Sequence, residues 1–364
     1  MTEVSAGDVP AEDALDPQAS AERAGLVYVT DDAPGIRRQK QGTGFTYFTP
    51  EGERIARGDP RRERIEELAV PPAWTDVWIC SSPKGHLQAT GRDEAGRKQY
   101  RYHPKWQDVR RRAKFDRLVA FGRALPEVRA RAAHDLQMEG LPRAKVLALV
   151  VRLLDDTLIR IGGDEYARQN DSFGLTTMRR RHACFDEAGT CTFSFTGKSG
   201  REHDIPLEDP ALAEVVQECC EVPGYEIFAF FDEEGDKHDV KAEHVNAYLK
   251  ATTGEGFTAK QFRTWGGTVE AARRLDARGP SEGQKEADAA LVEVVKAVAE
   301  KLGNTPAVCR EHYIHPALLS SHRAGDFLPA YRASLEAPNG QAPGGLAPAE
   351  RAVLAFLEAH LHEE

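Results

Sequence analysis

The stretch Asn304-Thr305-Pro306-Ala307-Val308-Cys309-Arg310-Glu311-His312-Tyr313-Ile314 decides how the rest of this chain is read. Thr305-Pro306 is an N-cap followed by proline at the first helical position, where the missing N–H costs nothing and φ is already set. The stretch therefore predicts a short helix bearing Tyr313 and ended by Pro316. Just before it, Gln284 to Leu302 places Ala289, Leu291, Val292, Val294, Val295, Val298, Ala299 and Leu302 at helical spacing, closed by Gly303.

Three earlier segments have their own local logic. Phe257 to Leu275 opens with Thr258 as an N-cap, which puts Lys260 and Arg263 one turn apart on one helix face. Ala144 to Ile161 is apolar-periodic and predicts a buried helix stopped by Gly162-Gly163, with Arg160 near its end. Thr192 to Thr196 alternates like a strand, Gly197 and Gly200 bracket a turn, and His203 to Leu207 reads as a returning strand, so Lys198 stands at a hairpin tip. Taken singly, two of them have a plain alternative: a solvated turn lysine for Lys198, a cation on a helix C-terminus for Arg160.

Together, Arg160, Lys198, Arg263, Asn304 and Tyr313 supply what attack on a phosphodiester needs. Charge grows on the non-bridging oxygens in the transition state, so fixed donors must be aimed there. Guanidinium suits this, being planar, permanently charged and bidentate toward phosphate. A phenol, with an unperturbed pKa of about 10, is activated by such cations and leaves again as a tolerable phenolate. The departing sugar oxygen is a poor leaving group and needs a proton, which Lys198 can give.

The segments I-R-I-G-G-D-E-Y (159–166), T-G-K-S-G (196–200), K-Q-F-R-T-W-G (260–266) and 304–314, with R-D-E-A-G-R-K-Q-Y-R-Y (92–102), resemble the type IB DNA topoisomerases. The likeness is to their short bacterial and viral branch and runs in order from about Tyr28 to His315. It implies Tyr313 as nucleophile, Arg160, Lys198, Arg263 and Asn304 as its catalytic partners, and Lys260 and Tyr166 on the DNA backbone. In viral relatives the stretch matching Gln99-Tyr100-Arg101-Tyr102 contacts bases, so Gln99, Tyr100 and Tyr102, with Arg97 and Lys98 beside them, carry that expectation. Asn304 departs from the histidine of many relatives, and an amide cannot act as an acid near neutral pH. The Gly163-Asp164-Glu165 stretch stands where those relatives have lysines, so their site preference does not transfer.

The resemblance implies an α+β fold: a small β-rich N-terminal domain and a larger, mainly helical catalytic domain of the kind shared by tyrosine recombinases and type IB topoisomerases. Boundaries fall at 1–24 (an acidic tail without periodicity, expected to be disordered), 25–108 (β-rich and DNA-binding), 109–336 (catalytic) and 337–364 (linker and terminal helix). Activity would be relaxation of supercoils through a 3′-phosphotyrosyl link, with no cofactor, no metal and no ATP. Two alternatives stay open: a tyrosine site-specific recombinase, against which Lys260 and the N-terminal strands argue, and a DNA-binding protein without catalysis.

Composition bounds the partners. The chain has 364 residues and a formal charge of −10, but residues 25–182 carry +9 and the remainder −19, so duplex DNA would meet the basic part. No apolar run is long enough to span a membrane and no signal peptide is legible. The expectation is a monomer in a bacterial-type cytoplasm, associated with the nucleoid and without an obligate protein partner. Six cysteines show no C-x-x-C pair, and neither His312 nor His315, which flank Tyr313, belongs to a metal-ligand pattern.

Overall fold

The computed structural model describes residues 16–232, 234–336 and 345–361, with the side chain of Tyr166 also left undescribed. The chain divides into two compact units, Met1–Phe115 and Asp116–Glu364.

Unit 1 is built on a five-stranded antiparallel sheet in the order β2-β1-β3-β4-β5. Its strands are β1 (Ile36–Gln41), β2 (Gly44–Phe48), β3 (Thr75–Ile79), β4 (Leu87–Arg92) and β5 (Lys98–Tyr102). The last three form an antiparallel meander, with Ile79 opposite Ala89 and Thr90 opposite Tyr100. β1 escapes sequence reading because only Ile36 of its six residues is buried, which leaves no period of two to see. One sheet face contributes Ile36, Tyr47, Val77, Ile79 and Ala89 to a core closed by Ile55 and by Ile65 of helix α2 (Pro60–Glu67). A short helix precedes the sheet, Pro17–Arg23 (α1), capped by Asp16 and burying Ser20 and Ala21, which corrects the expectation of disorder through residue 24. Ala21 packs with Leu26 and Trp106, so a few apolar residues suffice to order an otherwise acidic segment.

Helix α3 (Pro104–Asp135) contains the division between the units. Unit 2 continues through α4 (Arg143–Thr157), α5 (Asp164–Asn170), strands β6 (Ala183–Phe185), β7 (Cys191–Thr196) and β8 (Glu202–Leu207), and α6 (Pro210–Glu221). After the small β9 (Ala229–Phe231) and β10 (Lys237–Asp239) come α7 (Ala242–Thr253), α8 (Ala259–Arg278), α9 (Gln284–Lys301), α10 (Pro306–His312), α11 (Pro316–Ala324), α12 (Phe327–Glu336) and α13 (Pro348–Leu361). α4 is buried along most of its length and packs on α7 and α8, while α8 also meets α9 and α13.

The helix expected to run to Ile161 stops at Thr157, with Leu158 as a left-handed C-cap at φ 56°. The Gly162-Gly163 pair is thus not the stop. The carbonyl of Leu158 is taken by the Arg263 guanidinium, and Arg160 and Ile161 lie outside the helix, their carbonyls accepting from the N–H groups of Leu175 and Thr176 at 2.9 and 2.7 Å. α13 is fastened by buried charge: Arg129 meets Asp155 at 2.7 Å and Glu350 at 2.8 Å, and the Trp265 indole donates to Glu350 at 3.0 Å. No described helix is long and apolar enough to cross a membrane.

Candidate active site

The start of α8 is held by Gln261, whose side-chain oxygen accepts from the N–H and hydroxyl of Thr258 at 2.8 and 2.7 Å. One turn on, Arg263 is 5% exposed. Its two terminal nitrogens donate to the carbonyls of Leu158 and, at 2.6 Å, Leu302, the C-caps of α4 and α9. Helix C-termini carry partial negative charge, so two of them together stabilise a guanidinium that would otherwise be costly to bury. Arg263 lies with its Cζ 5.2 Å from the centre of the Tyr313 ring. Lys260 shares the helix and is half-buried.

Arg160 reaches the same place from the irregular stretch after α4, donating to the Gly303 carbonyl at 3.2 Å and to the side-chain oxygen of Asn304. This contact sets the Asn304 amide, because arginine can only donate and must face the oxygen end. The Nδ2 end is buried and has no hydrogen-bond partner among the described residues. A buried donor without an acceptor is costly unless something arrives to accept from it.

Tyr313 is 5% exposed and sits at the C-cap of α10 rather than inside it, at φ −126° and ψ −6°, its N–H still bonded to the Cys309 carbonyl at 2.9 Å. The helix ends at His312, before Pro316, which instead opens α11. Thr305 caps α10 as expected, accepting from Val308 N–H at 3.3 Å. The backbone around the tyrosine rests on α8: the Thr268 hydroxyl, which donates to Thr264 O at 2.8 Å, lies 3.4 Å from Tyr313 O and accepts from His315 N–H at 3.1 Å. Gly267 is needed there, since a Cβ would stand 2.7 Å from the Tyr313 carbonyl oxygen. Burial pushes the Cys309 thiol up to about 11 and the His315 imidazole down to about 4, so the former stays a thiol and the latter neutral near pH 7.

Lys198 opens a one-turn 3₁₀ segment between β7 and β8, with Ser199 left-handed at φ 64°. The hairpin brings in a residue that sequence reading passed over, His203. Its ring stacks on Phe195 at 5.1 Å and lies against both Gly197 and Gly303, where added Cβ atoms would come within 2.7 and 2.3 Å of it. The signal was available, since His203 shares the inward period of Ile205 and Leu207 opposite Phe195, Phe193 and Cys191. Tyr166 lies on α5, and its side chain is outside the described residues. All six cysteines are free, and among the described residues no cluster of His, Cys, Asp and Glu could hold a metal ion.

In unit 1, β5 is an edge strand, and its pleat sorts the expected DNA contacts. Lys98, Tyr100 and Tyr102 share one face, the rings of the tyrosines stacked at 5.9 Å with the Lys98 ammonium 5.7 Å from Tyr100. Gln99 points the other way, is 6% exposed, and donates to Asp93 at 2.9 Å, so it does not join that surface. Arg97 pairs with Asp93 at 2.8 Å and Lys98 with Asp31 at 2.6 Å. Partial burial raises the Asp31 carboxyl, but Lys98 and Thr90 outweigh it and hold the group below its ordinary range.

Residues 103–323 match a family model described as the catalytic core of eukaryotic DNA topoisomerase I, and residues 44–93 one described as the N-terminal domain of bacterial DNA topoisomerase IB. The chain is also similar to DNA topoisomerase 1B of Acanthamoeba polyphaga mimivirus, 29% identical over 288 residues that span 77% of this chain and 85% of that protein. All five residues of the proposed catalytic set fall inside the first match, and β5 falls between the two.

Proposed function

The chain belongs to the type IB DNA topoisomerase family and relaxes supercoiled duplex DNA, and from that premise we propose that Tyr313 is its nucleophile, served by Arg160, Lys198, Arg263 and Asn304. The observation that carries the assignment is the convergence of Arg160, Asn304, Arg263 and the Tyr313 ring from separate stretches of sequence.

Tyr313 loses its phenolic proton to solvent, attacks the phosphorus and forms a 3′-phosphotyrosyl bond, while the 5′-oxygen leaves with a proton from Lys198; on religation the departing phenolate takes a proton back from solvent. Arg160 and the Nδ2 of Asn304 bind the non-bridging oxygens, donors already in place before charge develops. Arg263 stays on its two helix ends and presents positive charge to the tyrosine ring as the phenol ionises. The free strand rotates, its 5′-hydroxyl returns the proton to Lys198 and attacks the adduct, and Tyr313 leaves. One phosphodiester is exchanged for another of similar energy, so ATP is not required.

Lys260 and Tyr166 serve the DNA backbone, and Arg97, Lys98, Tyr100 and Tyr102 of the β-rich N-terminal part serve phosphates and bases. The protein acts as a monomer on duplex DNA in the bacterial-type cytoplasm. The test is relaxation of supercoiled plasmid in EDTA without nucleotide. Relaxation there, with protein linked to DNA after denaturant quenching, is the expected result. Failure to relax unless metal or ATP is supplied would remove the reading.

A further inference from the structure

We propose that His203 is a positioning residue that locks the Lys198 hairpin onto the Gly303-Asn304 turn, setting where the proton donor stands relative to the phosphate-binding groups. The proposal rests on Lys198 being the general acid.

The end of β7 beside the turn is fixed by bonds to the preceding segment, Phe173 N–H to the Thr196 carbonyl at 2.9 Å and the Ser172 hydroxyl to the Gly197 carbonyl at 3.2 Å. Those bonds anchor the strand end but do not register the tip against Asn304. The His203 ring does. It lies against Gly197, the residue before Lys198, and against Gly303, the residue before Asn304; the Gly303 carbonyl accepts from Arg160. Both contacts are too close for any side chain but hydrogen, so each position must be glycine for the ring to fit. Gly303 is doubly constrained, since its φ is +60°.

The ring is also chosen for its charge. Burial lowers the His203 pKa, and Arg160, Arg263 and Arg201 add to the lowering against the smaller opposing effect of Glu202. A neutral flat ring can therefore sit among these cations, where a lysine or arginine would repel the groups meant for phosphate. Phe195 stacks on it and keeps its plane. Loss of the ring leaves a gap between two glycines, which have no side chains to fill it.

The experiment compares single-turnover cleavage of a duplex carrying either oxygen or sulfur at the bridging 5′ position of its mapped cleavage site. Sulfur leaves without a proton. Lys198→Ala should slow the oxygen substrate by ~10²-fold or more and recover on sulfur. His203→Ala should show the same pattern at a smaller size, about tenfold to 10²-fold on oxygen, with amide exchange across residues 196–202 accelerated. Gly197→Ala, whose new Cβ would press on the ring from an ordinary backbone conformation, should reproduce it. If Lys198→Ala recovers on sulfur but His203→Ala is equally slow on both substrates, the positioning role is wrong while the general acid stands. If Lys198→Ala fails to recover, the general-acid reading is lost, and unchanged exchange in His203→Ala would by itself overturn the docking.

Discussion

The cations around Tyr313 and the cations of β5 differ in what neutralises them. Arg263 is 5% exposed, and its two terminal nitrogens are held by two helix-end carbonyls, which cannot leave. Arg97 and Lys98 have about half of their side-chain surface in water and are held by Asp93 and Asp31, which can. An exposed ion pair is worth 0–1 kcal/mol and yields readily to a phosphate. A buried guanidinium losing its acceptors costs several times that. In the proposed mechanism the contrast separates two tasks: the first region would hold donors rigid for a transition state, whereas the second would exchange one anion for another as DNA arrives and departs.

Tyr313→Phe tests the rigid region hardest. Relaxation and covalent adduct should vanish, while noncovalent DNA affinity stays within a few-fold. Adduct formation by the variant would mean that another residue is the nucleophile. Arg263→Lys comes next: a single ammonium cannot span the Leu158 and Leu302 carbonyls, so cleavage should drop ~10²–10³-fold and the melting temperature should fall with it. A variant with normal rate and stability would show that the two helix ends need no fork.

Asn304→Ala should lose about 10²-fold in cleavage through the missing donor, with Asn304→His retaining substantial activity. Wild-type behaviour of the alanine variant would leave the unpartnered Nδ2 without a role. The smallest effects belong to β5. Replacing Arg97 and Lys98 by glutamine should make the slope of log affinity against log salt shallower by about one to two units, similarly for every duplex sequence. Asp31→Asn with Asp93→Asn should move the other way, raising affinity a few-fold at low salt. An unchanged slope in both double variants would mean that this strand faces away from DNA.

Much of the local structure of the candidate site was legible because its residues sit at punctuation marks. Thr305-Pro306 announced the start of α10, Gly197 and Gly200 the hairpin, and Thr258 the start of α8. What escaped was whatever depended on a distant partner. The end of α4 was misplaced because Arg263, 105 residues away, captures the Leu158 carbonyl and makes an early stop favourable. Gln99 was grouped with its tyrosine neighbours until the pleat and Asp93 turned it inward. β1 has too few apolar positions to announce itself, and its strand is defined by pairing with β2 and β3.

The amino-acid order by itself determined the chemical inventory and the local elements that bear it: a capped short helix followed by Tyr313, a hairpin with Lys198 at its turn, a helix with Lys260 and Arg263 one turn apart. Local structure follows from caps, turns and periodicity, which are properties of neighbouring residues. Only the tertiary structure decided that Arg160 orients the Asn304 amide, that Arg263 joins the ends of α4 and α9, and that His203 fills the space between Gly197 and Gly303. These contacts link residues far apart in sequence, where no local rule reaches, and packing alone selects the partner.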